Sequence, residues 1–315
     1  MPGHEIRNVV HEISEMVKAW SEAYGIDFSP SFNITGGEPF LHNDIFEILE
    51  DLRRRHFDVY LLSNGILVNR EKAALLSWLG VKSVQVSIEG PEAVHEAIRG
   101  KGSFGASLKG VGHLLEADIK VTLNVTLSDI NADSFAEIIS LASSLGVQRL
   151  GFSRLVPSGR GRHLLNNMLG KVALKKLYES IFSSETNGLE IVTGDPVASQ
   201  MSASGEGSDA GSFPTGGCAA GVSGLTILPD GTITPCRRLH VPIGNVRKDA
   251  LREVWATSEV LNALRDRNSY KGKCGSCARW ANCRGCRAIA FAYALSKGEQ
   301  DFLAEDPQCF IDQGL

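Results

Sequence analysis

The sequence predicts an α/β fold in which helices cover a parallel sheet, followed by a small cysteine-rich α+β domain. In the N-terminal part, short runs rich in Val, Ile and Leu alternate with stretches that have helical periodicity. Apolar strands separated by helices are typical of a parallel sheet buried on both faces. In addition, all seven cysteines lie after residue 217, so the C-terminal part has its own chemistry.

Five strand–helix units are predicted after a first amphipathic helix at 9–24, whose apolar residues recur at three- and four-residue steps. Each unit is given as strand then helix: 31–41 and about 43–56, 57–65 and 69–79, 82–90 and 105–117, 119–127 and 131–145, 147–155 and 171–184. The uneven spacing argues against a solenoid and favours a partial or full barrel or an open doubly wound sheet.

The composition changes after residue 191. Residues 197–217 are dense in Ser, Gly and Ala, which predicts a linker or mobile loop between domains at 1–196 and 218–315. Beyond it, a β-hairpin is expected around Pro229-Asp230-Gly231, followed by helices at 249–264 and about 288–297.

Composition and charge describe an ordinary soluble protein. The chain of 315 residues is 43% hydrophobic and 22% charged, with a net charge of −4. No basic excess indicates a nucleic-acid partner, and the first residues contain neither a signal core nor an apolar run long enough to span a membrane. We therefore expect a cytoplasmic protein without nucleic-acid or membrane partners.

The cysteines follow the pattern C-x17-C, a gap, C-x2-C-x5-C-x2-C, a second gap and a last Cys. Two C-x2-C pairs within thirteen residues make a ligand-dense segment, because each pair lets two thiolates reach one metal centre. Structural zinc would use four thiolates and leave three over, whereas iron-sulfur clusters use cysteine and tolerate an open fourth position. Two iron-sulfur clusters are favoured over zinc, and disulfides suit neither the odd count nor the compartment.

The runs CAAGVSGLTILPDGTITPC, CGSCARWANCRGC and DPQC resemble the SPASM domain of radical S-adenosylmethionine (SAM) enzymes. The resemblance implies two auxiliary [4Fe-4S] clusters. The first would take Cys218, Cys236 and Cys286; the second would take Cys274, Cys277, Cys283 and Cys309. In the family the last interval is usually C-x3-C, whereas Cys283 and Cys286 form C-x2-C here. The assignment of Cys286 as a ligand therefore departs from the family pattern.

A second resemblance lies at the ends of the predicted strands, where parallel α/β enzymes place their sites. Gly36-Gly37-Glu38-Pro39 resembles the GGEP motif that contacts the methionyl amino group of SAM in this family. Ser87-Ile88-Glu89-Gly90 resembles the S-[LI]-[DE]-G motif, which implies that Ser87 lies near the cofactor. Asn64 and Asn124 are further candidates for cofactor binding, although turn formation before Gly65 would also explain Asn64.

Three arginines follow the fifth strand: Arg154, Arg160 and Arg162. Guanidinium groups suit carboxylates, so this segment is compatible with a peptide or a porphyrin-type substrate, while a solvated basic loop is an equal alternative. Similar loops occur in relatives of both substrate types.

The family reduces SAM with a [4Fe-4S] cluster held by C-x3-C-x2-C after the first strand, and the printed sequence has no such run. We expect this segment, with the first strand of a (β/α)6-type partial barrel, upstream of Met1; the alternatives are a natural loss or a separate chain. The implied function is reductive cleavage of SAM, followed by hydrogen abstraction from a peptide or protein side chain. A flavodoxin or ferredoxin would supply the electron. Tetrapyrrole chemistry is the second hypothesis, and a non-catalytic iron-sulfur or electron-transfer protein is the rival. The chain alone is expected not to cleave SAM.

Overall fold

A computed structural model describes residues 1–186, 188–202 and 213–311. Within them, six strands form one sheet whose spatial order follows the chain, and three short strands form a second sheet. The strands of the large sheet are β1 Ser31–Ile34, β2 Asp58–Ser63, β3 Ser83–Ser87, β4 Val121–Leu127, β5 Arg149–Arg154 and β6 Glu190–Thr193. The pairings of β1 with β2, β2 with β3 and β3 with β4 are parallel, which confirms the predicted class.

Helices connect these strands. Their bounds are α1 Gly3–Tyr24, α2 Ile45–Arg54, α3 Arg70–Trp78, α4 Glu92–Arg99, α5 Ser103–Glu116, α6 Phe135–Leu145 and α7 Lys171–Ser183. The C-terminal part adds α8 Ser199–Ser202, β7 Thr226–Ile227, β8 Thr232–Thr234, β9 Gly244–Asn245, α9 Leu251–Thr257, α10 Glu259–Arg265, α11 Gly272–Ser276 and α12 Arg287–Ser296. The antiparallel pairing of β7 with β8 confirms the predicted hairpin. No described helix is both long enough and apolar enough to cross a bilayer.

Three elements differ from the sequence analysis. The count of five strands was wrong, because β6 is a sixth; it is an edge strand of four residues and lacks the long apolar run of a central strand. Helix α4 was not predicted because its eight residues fall below the length at which periodicity is informative. The expected helix at 249–264 is interrupted at Ser258, whose side chain caps α10 by accepting a hydrogen bond from the Leu261 N–H.

The chain divides into two compact units. The first comprises Met1–Val125, Ser134–Gly151 and Thr186–Ile191, and the second comprises Thr126–Asp133, Phe152–Glu185 and Val192–Leu315. In the first unit, alternate residues of β2, β3 and β4 are fully buried, and the residues between them are only half-buried. The sheet therefore has one apolar face under the helices and one more polar face.

The predicted linker is partly structured. Val197 and Ala198 are completely buried, and both backbone N–H groups donate to Asp195 Oδ1, at 2.9 and 3.0 Å. The beginning of the 197–217 segment is thus anchored rather than free, and α8 follows it. Residues 203–212 of that prediction lie outside the described residues.

Candidate functional site

Glu38 lies directly after β1 and is buried, with 8% of its surface exposed. Its Oε1 accepts a hydrogen bond from Ser63 Oγ at 2.8 Å, and its Oε2 accepts one from the Asn64 N–H at 2.9 Å. The carboxylate therefore ties together the ends of two neighbouring strands. A carboxylate has about four acceptor positions, so Glu38 retains capacity for a ligand's ammonium group.

The two glycines before Glu38 are exposed, and a Cβ built on Gly36 or Gly37 would have no atom within 4 Å. Neither residue has the left-handed backbone that favours glycine. Glycine at these two positions is thus explained neither by packing among the described residues nor by backbone conformation. Glycines at such a position fit a backbone that a ligand approaches closely. Pro39 is buried and begins a short 3-10 turn over Pro39–Leu41.

Asn64 is used in the turn that follows β2. Its Oδ1 accepts a hydrogen bond from the Ile66 N–H at 2.8 Å, and its carbonyl oxygen accepts one from Ser107 Oγ at 2.7 Å. This is the turn chemistry that the sequence analysis considered for Asn64, since Asn side chains often accept from the backbone two residues on. A cofactor contact by the Asn64 side chain stays a prediction.

Ser87 and Asn124 lie opposite each other in the register of β3 and β4, on the half-buried face. The structure thus brings together two residues that are 37 positions apart in the sequence. Gln85 and Thr122 pair on the same face, but the sequence analysis did not single them out, because isolated polar residues within apolar strands carry no motif. Gly151 leaves room for the Asn124 amide: a Cβ there would stand 3.0 Å from Asn124 Oδ1.

Glu89, two residues after Ser87, is buried and paired with Arg99 Nε at 3.0 Å. The Glu89 N–H donates to Nδ1 of His95, a fully buried side chain of α4. Burial, helped by the charge of Arg99, lowers the pKa of His95 to about 4, so its imidazole is neutral at pH 7. His95 therefore supports the backbone after β3 as a neutral acceptor.

In the second unit, four cysteines line one small cavity: Cys274, Cys277, Cys283 and Cys309. This set is the one that the family resemblance assigned to the second auxiliary cluster. Burial raises the pKa of Cys283 to about 12, and burial also raises the pKa of Cys274 and Cys309. These three thiols are thus protonated at pH 7, so metal binding to them would release protons.

The other three cysteines belong to a different part of the same unit. Cys218 and Cys286 are buried in one hydrophobic cluster, and Cys236 packs against that cluster. Burial raises the pKa of Cys286 to about 12, with a contribution from Cys218 that indicates their proximity. These three cysteines therefore share a hydrophobic cluster that does not include the other four, and their role as ligands stays a prediction.

The short interval between Cys283 and Cys286 has a structural explanation. Arg284 and Gly285 both have left-handed backbones, with φ of 62° and 59°. A Cβ at Gly285 would stand 2.7 Å from Asp306 Cβ, so only glycine fits there. The Arg284 guanidinium stabilises this turn by donating to the carbonyl oxygens of Ala281 and Cys218, each at 2.7 Å.

Two buried arginines provide positive charge beside the thiols. Arg287 is fully buried, and its Nη2 lies 3.5 Å from Cys274 Sγ, while its Nη1 donates to the Ala304 carbonyl at 2.7 Å. Burial alone would lower the pKa of Arg287, but the neighbouring Cys274, Tyr270, Cys218 and Asp306 together raise it. Together with Arg284, this guanidinium would offset the negative charge of thiolate-bound clusters.

Arg154 belongs to a buried ion-pair network rather than to a substrate-facing loop, which corrects its grouping with Arg160 and Arg162. Its Nε donates to Asp195 Oδ2 at 2.6 Å and its Nη2 to Asp306 Oδ2 at 2.8 Å. Burial would lower the pKa of Arg154, but the two carboxylates raise it, and Arg154 in turn holds the pKa of Asp306 below its usual range. Asp306 also accepts from the Cys286 N–H at 2.8 Å. Arg160 and Arg162 are exposed.

Comparison with known proteins identifies the family. A family model for the radical SAM superfamily matches residues 2–142, and a model for the SPASM iron-sulfur cluster-binding domain matches residues 218–287. An AdoMet-dependent heme synthase of Methanosarcina barkeri is 32% identical over 309 residues, which cover 90% of this chain and 83% of the relative. The chain belongs to the radical SAM superfamily.

One further relative and one solved structure extend the comparison of this radical SAM protein. The mycofactocin maturase MftC of Mycolicibacterium smegmatis is also 32% identical, over 88% of this chain and 69% of the relative. The crystal structure of Streptococcus suis SuiB bound to S-adenosylmethionine has a similar fold, with a TM-score of 0.74 at 16% identity, covering 99% of this chain and 71% of SuiB.

The donor chemistry of the radical SAM chain fits iron-sulfur clusters, which are held mainly by cysteine thiolates. Within residues 1–186, 188–202 and 213–311, no three His, Cys, Asp or Glu side chains form a site for a single metal ion. The number and type of clusters stay predictions.

Proposed function

We propose that this protein is a radical SAM/SPASM enzyme that cleaves S-adenosylmethionine reductively and abstracts hydrogen from a peptide or protein side chain. The arrangement around Glu38 carries the proposal of a SAM site. It combines two glycines that no described packing requires with a carboxylate held at the ends of two strands. The 32% identity to a mycofactocin maturase supports the peptide substrate.

When bound, SAM and a reduced [4Fe-4S] cluster supply the 5'-deoxyadenosyl radical. The residues of this chain have simpler tasks. The open backbone at Gly36 and Gly37 lets the methionyl group approach, and Glu38 accepts from its ammonium group while keeping its own bonds to β2. Ser87 and Asn124 offer hydrogen-bonding groups on the neighbouring strands. The seven cysteines hold the auxiliary clusters, with Cys274, Cys277, Cys283 and Cys309 in one set.

A substitution at Gly37 tests this site. Gly37→Ala should weaken SAM binding by roughly tenfold or more, because the new methyl group would occupy space that the ligand needs. It should leave the unfolding midpoint nearly unchanged, since nothing lies within 4 Å of the added atom. Equilibrium dialysis with radiolabelled SAM measures the first quantity, and circular dichroism during urea unfolding measures the second.

Gly105→Ala is the matched control, because a Cβ at this exposed position of α5 also meets no atom within 4 Å. It should leave SAM affinity unchanged. Equal SAM affinity of the two variants and the parent protein would place the cofactor elsewhere.

The second candidate is modification of a tetrapyrrole. It is favoured by the heme synthase of Methanosarcina barkeri, of which this chain covers 83% at 32% identity. The third candidate is a non-catalytic iron-sulfur protein, which the four cysteines around one cavity would serve equally well.

Transfer of deuterium separates these candidates. The protein, reconstituted anaerobically, is supplied with SAM, reduced flavodoxin and a deuterated substrate. The proposal expects deuterium in 5'-deoxyadenosine from a side chain of a peptide substrate. Deuterium from the propionate side chain of a tetrapyrrole would favour the second candidate. No SAM cleavage with any reductant would leave the non-catalytic protein.

A further inference from the structure

A cavity of about 290 Å³ in the second unit is not part of either cysteine set. Three segments form it: the chain after β5, the chain after Cys236, and α12. Its lining includes Gly159, Arg162, Arg238, His240, Phe291 and Leu295. Among the residues that the structure describes, the lining contains no acidic side chain.

Two guanidinium groups give this cavity its charge. Arg162 is exposed in the 3-10 segment Gly159–Asn167, and Arg238 is half-buried with a long 3.4 Å contact from its Nη1 to the Arg154 carbonyl oxygen. Among the described residues, neither forms an ion pair with a carboxylate, in contrast to the buried Arg154. A pair of guanidiniums without carboxylate partners is suited to an anion, and the planar forks match a carboxylate group.

Part of the cavity wall is apolar. Phe291 and Leu295 line the cavity from α12, and Phe291 also packs against the hydrophobic cluster that contains Cys218 and Cys286. An inorganic anion would gain nothing from this wall, whereas a ligand with an apolar body would bury surface on it. Gly159, which also lines the cavity, has a left-handed φ of 55°, and a Cβ there would lie 3.8 Å from His240 Cε1.

We propose that this cavity binds a carboxylate group attached to an apolar body, with Arg162 and Arg238 holding the carboxylate and Phe291 and Leu295 holding the apolar part. Two sources share this chemistry: the C-terminus of a peptide that ends in an apolar residue, and a propionate edge of a tetrapyrrole. Pockets for whole drug-sized ligands measure about 300–1,000 Å³, so a cavity of this size takes one end of a larger molecule. The proposal refines the substrate class and so rests on the proposed function.

A binding measurement without SAM tests the cavity separately from the proposed enzymatic function, because ligand binding needs no radical chemistry. The probe is N-acetyl-Ala-Leu with a free carboxylate, and its C-terminal amide is the matched neutral ligand; both are titrated into the anaerobically reconstituted protein and followed by calorimetry. The acid should bind and the amide should not. Equal binding of acid and amide would overturn the proposal, and so would displacement of the acid by an equal concentration of inorganic phosphate.

Substitutions locate the site. Arg162→Gln should weaken binding of the acid by roughly tenfold, the usual range for one charged hydrogen-bonding partner. Arg160→Gln is the matched control, because Arg160 is exposed in the same segment but does not line the cavity, and it should have no effect. Equal losses in the two variants would indicate a diffuse basic surface and would contradict the proposal. Both side chains are exposed, so both variants should fold.

Two competition experiments identify the source. Mesoporphyrin IX is tested against its dimethyl ester, and a longer Leu-terminated peptide is tested against its amide. Displacement of the small acid by only the free-acid form of either ligand supports the proposal and names the source. Displacement by neither, or equally by the blocked forms, would overturn it. If the small acid binds as expected but the experiment with SAM transfers no deuterium, only the proposed function is contradicted.

Discussion

Arg154→Met should lower the free energy of unfolding by about 3–5 kcal/mol, because it leaves two carboxylates buried without a counter-charge. Asp195 and Asp306 have side chains that are 3% and 0% exposed, so water cannot replace the guanidinium. The substitution should also lower the iron content, since Asp306 accepts a hydrogen bond from the Cys286 N–H. Urea unfolding of the anaerobically reconstituted protein, with iron analysis of the folded fraction, measures both effects.

Arg149→Met on the same strand is the control. Arg149 pairs with Glu190 at 2.6 Å, but both side chains are about half exposed, at 50% and 55%. Exposed ion pairs contribute about 0–1 kcal/mol, so this variant should be nearly as stable as the parent and keep its iron. Similar stability losses at positions 149 and 154 would show that burial of the Arg154 network has little energetic importance.

Cys277→Ala should remove about one cluster's iron and sulfide after anaerobic reconstitution, because Cys277 is one of four thiols around one cavity. The remaining cysteine set lies in a separate hydrophobic cluster and should keep its metal. Iron and sulfide analysis gives the stoichiometry, and electron paramagnetic resonance of the reduced protein should lose one cluster signal.

The neighbouring Ser276→Ala is the matched control, since the Ser276 hydroxyl is exposed and is not part of the cavity lining. Its iron and sulfide content should equal that of the parent. An unchanged iron content in Cys277→Ala would contradict the assignment of this residue as a ligand. A proportionate loss of iron from both cysteine sets would mean that they do not load independently.

Much of the candidate site could be predicted because its information is local in the sequence. Gly36-Gly37-Glu38-Pro39 places two residues without side chains and a carboxylate within four residues, directly after a strand. The two C-x2-C pairs likewise place thiols at short, fixed distances along the chain. The prediction failed where the signal was weak: β6 has only four residues, α4 has eight, and Ser258 interrupts an otherwise continuous helical pattern.

The role of Arg154 illustrates what sequence spacing cannot supply. From the sequence it was one of three arginines in a basic segment, equally suited to substrate or solvent. In the structure it pairs with Asp306, 152 residues away, while Arg162 lines a cavity with residues of α12. The sequence does not show which residues pair, because a charge pair between distant segments leaves no periodic pattern.

Residue type and short-range spacing were enough to predict the α/β class, the clustering of the cysteines and the glycine-rich strand end. Only the folded chain shows that Glu38 is tied to the end of β2, and that Arg154 is buried while Arg160 and Arg162 are exposed. The cause is desolvation. Whether a charge or thiol is paired, neutral or available for a ligand depends on the groups that folding brings around it, and those come from distant parts of the chain.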